Sequence, residues 1–202
     1  MYILCIDPGI VSVGLFGADM NTLGHISGIR VCANVDMTKP FATPKNIYTY
    51  IDTFLHTYKI HFIAADVLVV EKQPITSAGM PIELLIRERY GKKCTFVHPA
   101  TLHKHYGTAG YEYNARKRMA VDLITDALRQ WEHQKVEGAG DALASILSME
   151  RQHDCCDAAL FFMYYATVLH KVPVIIDSEE VSFSDFVAQF KYVPQCPRIP
   201  KS

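Results

Sequence analysis

MYILCIDPGIVSVGLFG, residues 1–17, is the stretch whose reading decides the fold. Tyr2 to Ile6 is a short apolar run that ends on Asp7-Pro8-Gly9. A second apolar run follows from Val11 to Phe16, interrupted by Gly14. The pattern predicts a strand, a tight turn and an antiparallel strand. A carboxylate at the end of a buried first strand is in an uncommon position, because Asp is seldom buried without a partner. Pro8-Gly9 bends the backbone away directly after it, and Gly14 leaves room for a close approach to the second strand. The placement suits a fixed carboxylate holding a metal ion. The plain alternative is an Asp that opens a turn and faces water, and on this stretch alone the two weigh equally.

Working outward, 202 residues make one domain with a small appendage. A hydrophobic fraction of 50% is that of a globular chain rather than a disordered one. No apolar run is long enough to span a bilayer, and Met-Tyr-Ile-Leu-Cys has no basic region, so neither a membrane partner nor a secretion signal is expected. The 6 cysteines are scattered singly apart from Cys155-Cys156, with no Cys-x-x-Cys pair. That predicts free, mostly buried thiols in a reducing intracellular compartment. The net charge of -1 counts mildly against a nucleic-acid binder unless a local basic patch exists.

A third strand is expected over Leu23–Val35, then a loop over Asp36–Pro44 and a helix from near Pro44 with Ile47, Ile51, Phe54, Leu55 and Tyr58 at helical spacing. Val67–Val70 is a β-branched run suited to a strand buried on both faces, and it ends on Glu71-Lys72-Gln73-Pro74. This is the second carboxylate at the end of an apolar strand. A helix over Met80–Tyr90 and a strand over Lys93–His98 complete a crossover unit with parallel strands. A short helix is expected within Ala100–Gly107, then an aromatic, glycine-containing loop up to Tyr113.

Asn114 is read as the N-cap of a long helix through Trp131. Arg116-Lys117-Arg118 opens that helix against its macrodipole, which favours an anion-binding role over a merely solvated face. A short helix is expected over Asp141–Met149. Asp154-Cys155-Cys156-Asp157 then opens a very apolar helix through Leu169. Its two acids are three apart, on one face of the first turn, and a cap explains only one of them. In the tail, Phe183, Phe186, Val187 and Phe190 have helical spacing.

Asp7, Glu71, Asp154 and Asp157 thus end or open apolar elements. Such a group has reason to converge only if a cation compensates it. Hard divalent ions such as Mg²⁺ use a few carboxylates, with water and phosphate filling the rest. Two such ions about 4 Å apart activate a water and stabilise the departing 3′ oxygen of a phosphodiester.

With these residues the chain resembles the RuvC-like Holliday junction resolvases of the ribonuclease H superfamily, closest to the poxvirus and mitochondrial members. The resemblance rests on Ile6-Asp7-Pro8-Gly9 with Gly14, on Val70-Glu71-Lys72-Gln73, on Phe96 to Pro99, on Arg116-Lys117-Arg118 and on Asp154-Cys155-Cys156-Asp157-Ala158, in that order. It implies an α/β fold of ribonuclease H type, a five-stranded mixed sheet with its first three strands antiparallel, flanked by helices. Residues 1–170 would form the nuclease domain and 171–202 an extension packed on it or on a partner subunit.

It also implies a homodimer that cuts four-way junction DNA, and other branched DNA, in symmetric pairs. The cofactor would be Mg²⁺, with Mn²⁺ able to substitute. Asp7 would bridge both metals, with Glu71, Asp154 and Asp157 sharing the rest. Lys72, Gln73, Lys104, Arg116, Lys117 and Arg118 would contact DNA as positioning contacts. Tyr106 to Tyr113 is a candidate for stacking on bases at the crossover, although packing is the commoner fate of such tyrosines. His98, His103, His105 and His153 are not expected to bind hard metals. The centre of the dimer contact would be the Met80–Tyr90 helix, with Leu84 or Leu85 buried between subunits. The localisation implied is cytoplasmic for a protein of a cytoplasmic DNA virus, otherwise nuclear or mitochondrial.

Gly140-Asp141-Ala142-Leu143-Ala144 offers a second candidate for the last motif. Asp154 and Asp157 are preferred because they supply two carboxylates at the family's spacing. Rival readings are a ribonuclease H or exonuclease on the same fold, a non-catalytic dimeric DNA-architectural protein, and, less favoured for want of length, an actin-like ATPase.

Overall fold

The computed structural model describes residues 1–169 apart from 10, 23 and 44, together with two short strands, Val174–Ile176 and Glu179–Val181. The expected helix through Phe183 to Phe190, and Pro44 as a helix start, lie outside the described residues.

The strands are β1 (Tyr2–Asp7), β2 (Ser12–Met20), β3 (Ile26–Asp36), β4 (Val67–Glu71) and β5 (Cys94–Val97). They form one sheet in the order β3-β2-β1-β4-β5. β1–β2 and β2–β3 pair antiparallel, whereas β1–β4 and β4–β5 pair parallel. The mixed five-stranded sheet expected from the sequence is therefore the one observed. β2 and β3 start and end later than expected, because their backbone pairing continues past the apolar runs that signalled them. Register shifts near Gly17 and Met20 let the two strands stay paired.

The helices are α1 (Ile47–Thr57), α2 (Lys59–Ala64), α3 (Met80–Tyr90), α4 (Pro99–His105), α5 (Tyr113–His133), α6 (Ala139–Ser148) and α7 (Gln152–Tyr164), the last running into a π-helical turn over Tyr165–Leu169. Asn46 caps α1, its side chain accepting from the Thr49 amide at 2.9 Å. Asn114 is not the cap of α5: Glu112 occupies that position and Asn114 lies inside the first turn. α2 had no clear sequence signal, since Phe62 is the only buried side chain in it.

Alternation along the strands builds two cores, one on each face. Ile3, Cys5, Phe16, Val69 and Val97 pack under α5, α6 and α7, with Ile124, Leu128, Phe161 and Phe162 among the helical residues. Tyr2, Leu4, Ile6, Leu68 and Val70 pack against Ile51, Phe54, Phe62, Ile82 and Ile86 of α1–α3. Helices on both faces explain why the central strands read as continuous apolar runs. α7 touches β1, β2, β3, β4, α5 and α6, which accounts for its lack of a polar face.

Candidate active site

Strand parity aims the first two carboxylates. In β1, Ile3 and Cys5 face α7, and Asp7 continues that set; in β4, Val69 faces α7 and Glu71 continues it. Ile6 lies opposite Val70 in the parallel pairing, so the residues that follow each, Asp7 and Glu71, stand side by side. Their carboxyl groups share a hydrogen bond.

The α7 carboxylates arrive because α7 lies unusually close to β2. Gly14 is opposite Asp7 in the β1–β2 pairing, and a Cβ at position 14 would run into the Asp154 carbonyl. Only glycine admits this approach. It brings Asp157 near Asp7 and Glu71, and Asp154 near Asp7.

Burial pushes the Asp7 carboxyl well above the usual carboxylate range, and the hydrogen bond and charge of Glu71 add to it. Burial also raises Glu71, with the Asp157 charge adding to it. Asp157 is pushed up to about 7, first by burial and then by Asp7, against the pull of Lys117. Burial first, and mutual repulsion after it, disfavours the charged form of all three carboxyls.

Lys117 enters this site rather than facing outward. Its ammonium forms an ion pair with Asp157 and lies over the Tyr113 ring, 5.2 Å from the centroid. Burial works to lower its pKa, but Asp157 and Asp7 outweigh that and raise it. The cation row at the start of α5 therefore splits: Lys117 serves the acids, while Arg118 is exposed and Arg116 half-buried.

Asp154 has its own partners. Ser12 Oγ donates to it at 2.8 Å, Arg151 Nε at 3.0 Å, and His153 Nε2 lies 3.1 Å away. Asn34 bonds both Ser12 and the Arg151 carbonyl. Ser12 and Asn34 carried no sequence signal, because their contacts to α7 span the whole chain. Arg151 did carry one, an opposite charge three residues before Asp154. Asp141, the competing acid, is exposed in the first turn of α6 and is not among the groups acting on Asp7, Glu71 or Asp157.

The other residues read as DNA contacts divide. Lys72 and Lys104 are exposed, Lys72 directly after Glu71. Gln73 is turned inward: its Oε1 accepts from Ser77 Oγ at 3.0 Å, and its backbone amide donates to the buried Glu83 at 2.6 Å. Tyr106 is not free for base stacking, since it is buried and its hydroxyl donates to the Leu160 carbonyl at 3.0 Å. Tyr113 is exposed.

Among the solved structures that match this chain are junction resolvases. The fowlpox virus Holliday junction resolvase matches over 82% of this chain and 98% of its own, at TM-score 0.59 and 16% identity. The yeast mitochondrial resolvase Ydc2 matches over 93% and 85%, at TM-score 0.56 and 17% identity. Thermus thermophilus RuvC matches over 82% and 95%, at TM-score 0.50 and 15% identity. The chain has the fold of these resolvases. No protein-family model and no curated protein matches the sequence itself.

Among the described residues, no three His, Cys, Asp or Glu side chains are gathered into a ready-made metal cage. Mg²⁺ does not require one, since it keeps several waters and takes one or two carboxylates plus substrate phosphate. The donor set fits on chemical grounds. It is all oxygen, and burial, with mutual repulsion added to it, disfavours the charged forms of Asp7, Glu71 and Asp157, a cost that a divalent cation would relieve.

Proposed function

We propose that the chain is a structure-selective DNA endonuclease that resolves four-way junctions as a homodimer, with Mg²⁺ as its metal. The observation that supports the reading is the hydrogen-bonded pair Asp7 and Glu71 at adjacent strand ends, with the charge of Asp157 from α7 acting on both. The fold supports the substrate class: the fowlpox resolvase that shares it has also been solved with Holliday junction DNA.

In this reading Asp7 and Glu71 hold metal, with Asp157 and Asp154 completing the set. A pair of divalent ions, when bound, supplies an activated water and stabilises the leaving oxygen of a phosphodiester. Lys117 pairs with Asp157 and orients it. Lys72, Lys104, Arg116 and Arg118 would serve as phosphate contacts, a local basic patch that the net charge would conceal. Leu84, 53% exposed on α3, is available to a second copy, whereas Leu85 packs against its own core. A two-fold dimer sets two active sites on opposed strands of a two-fold junction. The five described cysteines are free, in keeping with work in a reducing compartment.

The test is cleavage with Mg²⁺ of a four-way junction, a matched duplex and an RNA–DNA hybrid in parallel. Paired symmetric nicks confined to the junction are expected. Cutting of the hybrid or of duplex ends instead would assign a ribonuclease H or an exonuclease, and metal-independent binding without cutting would assign an architectural protein.

A further inference from the structure

Two cations oppose the α7 carboxylates, and they are held differently. Lys117 meets Asp157 inside the site with 22% of its side chain exposed, while Arg151 meets Asp154 from the rim with 53% exposed. Arg151 sits at the N-cap position of α7 without making a side-chain cap bond. Its guanidinium turns instead to Asp154, through Nε at 3.0 Å and Nη2 at 3.5 Å. Its backbone is anchored, because Asn34 Nδ2 donates to the Arg151 carbonyl at 2.9 Å. The residue is thus tied to β3 at one end and open to solvent at the other.

We propose that Arg151 is an exchangeable counter-ion. It neutralises Asp154 in the metal-free protein, releases that carboxylate to a divalent cation, and then presents its guanidinium to a phosphate of the bound strand. The inference rests on the metal-dependent reading above. An ion pair with one half-exposed member is weak, so the exchange costs little. A guanidinium fork matches phosphate oxygens as well as it matches a carboxylate. Asp154 keeps its orientation when Arg151 leaves, because Ser12 and His153 still hold it.

Arg151 therefore acts with opposite signs on two quantities. It competes with metal at Asp154, and it assists the bound substrate. An ion pair that only stiffened the start of α7 would weaken metal binding and cutting together when removed.

The experiment titrates the full chain with Mn²⁺ by calorimetry, without DNA, and measures single-turnover junction cleavage at saturating Mg²⁺. R151A is expected to bind Mn²⁺ roughly three- to fivefold more tightly, the scale of a partly exposed ion pair. It is expected to cut about tenfold more slowly, the scale of one lost charge-assisted hydrogen bond to a phosphate of the bound strand. R151K should fall between R151A and wild type in both measurements. Mn²⁺ affinity in R151A that is unchanged or lower overturns the proposal, as does an unchanged cutting rate. If circular dichroism shows R151A unfolded, R151Q keeps the stem, removes the charge and carries the same two expectations. Failure of the wild-type chain itself to bind Mn²⁺ would overturn the metal reading as well, and the wild-type titration alone reveals it.

Discussion

The two ends of the central sheet treat charge in opposite ways. At the end where β1 begins, Arg30, Asp19 and Asp66 have partners. Arg30 donates to both oxygens of Asp19 at 2.5 and 2.7 Å, its guanidinium lies 4.4 Å from the Tyr2 ring centroid, and the Tyr2 amide donates to Asp66 at 2.7 Å. At the end where β1 and β4 finish, acids outnumber the cations that meet them. Asp7 and Glu71 share a hydrogen bond, and among the described cations Lys117 is the one that acts on Asp7, Glu71 and Asp157 together. Both ends belong to the same strands, so the fold does not require the second arrangement. Paired charge settles a structure; unpaired charge held in place by a rigid sheet is suited to taking up something else.

The sharpest way to break this comparison is Asp7→Asn. Cutting should fall about 10³-fold or more, the scale of a lost metal-held charge. Junction binding in Ca²⁺ should persist and folding should be retained, since one repelling charge has gone. A loss of ellipticity together with cutting would make Asp7 a structural residue like Asp19.

Next in size is Gly14→Ala. The added Cβ meets the Asp154 carbonyl and must displace α7 from β2. Overpacking of this kind costs about 1–3 kcal/mol, read by denaturant unfolding. Cutting should fall at least about tenfold, because the α7 carboxylates move away from Asp7. A variant with wild-type stability and activity would mean that the close approach of α7 is unimportant.

The pH dependence of stability should separate the two ends without mutation. Asp157 titrates near 4 in an unfolded chain, by the usual range for Asp, and at about 7 in the fold. Between those values the folded protein binds more protons than the unfolded one, so its stability falls as pH rises. Asp7 and Glu71 are raised as well and act in the same direction. Metal-free protein should therefore lose on the order of 1–3 kcal/mol between about pH 4 and 7. Thermal melts in EDTA would show it, and Mn²⁺ should flatten the slope. A melting temperature that climbs across this window in EDTA would contradict the crowding of these acids.

The smallest effect is expected at the opposite end. Asp19→Ala breaks a pair whose Arg30 side chain is 48% exposed, so less than about 1 kcal/mol should be lost, and cutting should not change. A loss of cutting there would couple the two ends and undo the contrast.

The sequence by itself determined the strands, the α3 crossover, the long α5 and the apolar α7, because hydrophobic period and turn residues are local properties. It also marked Asp7 and Glu71, since a charge that ends an apolar run can be seen without knowing what the run packs against. Parity along β1 and β4 even aims them at the same face. Only the tertiary structure decided which acids and cations meet. Asp154 and Asp157 reach the strand ends because a glycine 140 residues earlier than Asp154 lets their helix in. Lys117 points inward and Arg118 outward from consecutive positions, because successive residues of a helix face about 100° apart and only packing fixes which of them faces the sheet. Gln73, one residue after the exposed Lys72, is folded back onto Ser77 and Glu83. Those outcomes depend on contacts distant in sequence, where no local propensity operates.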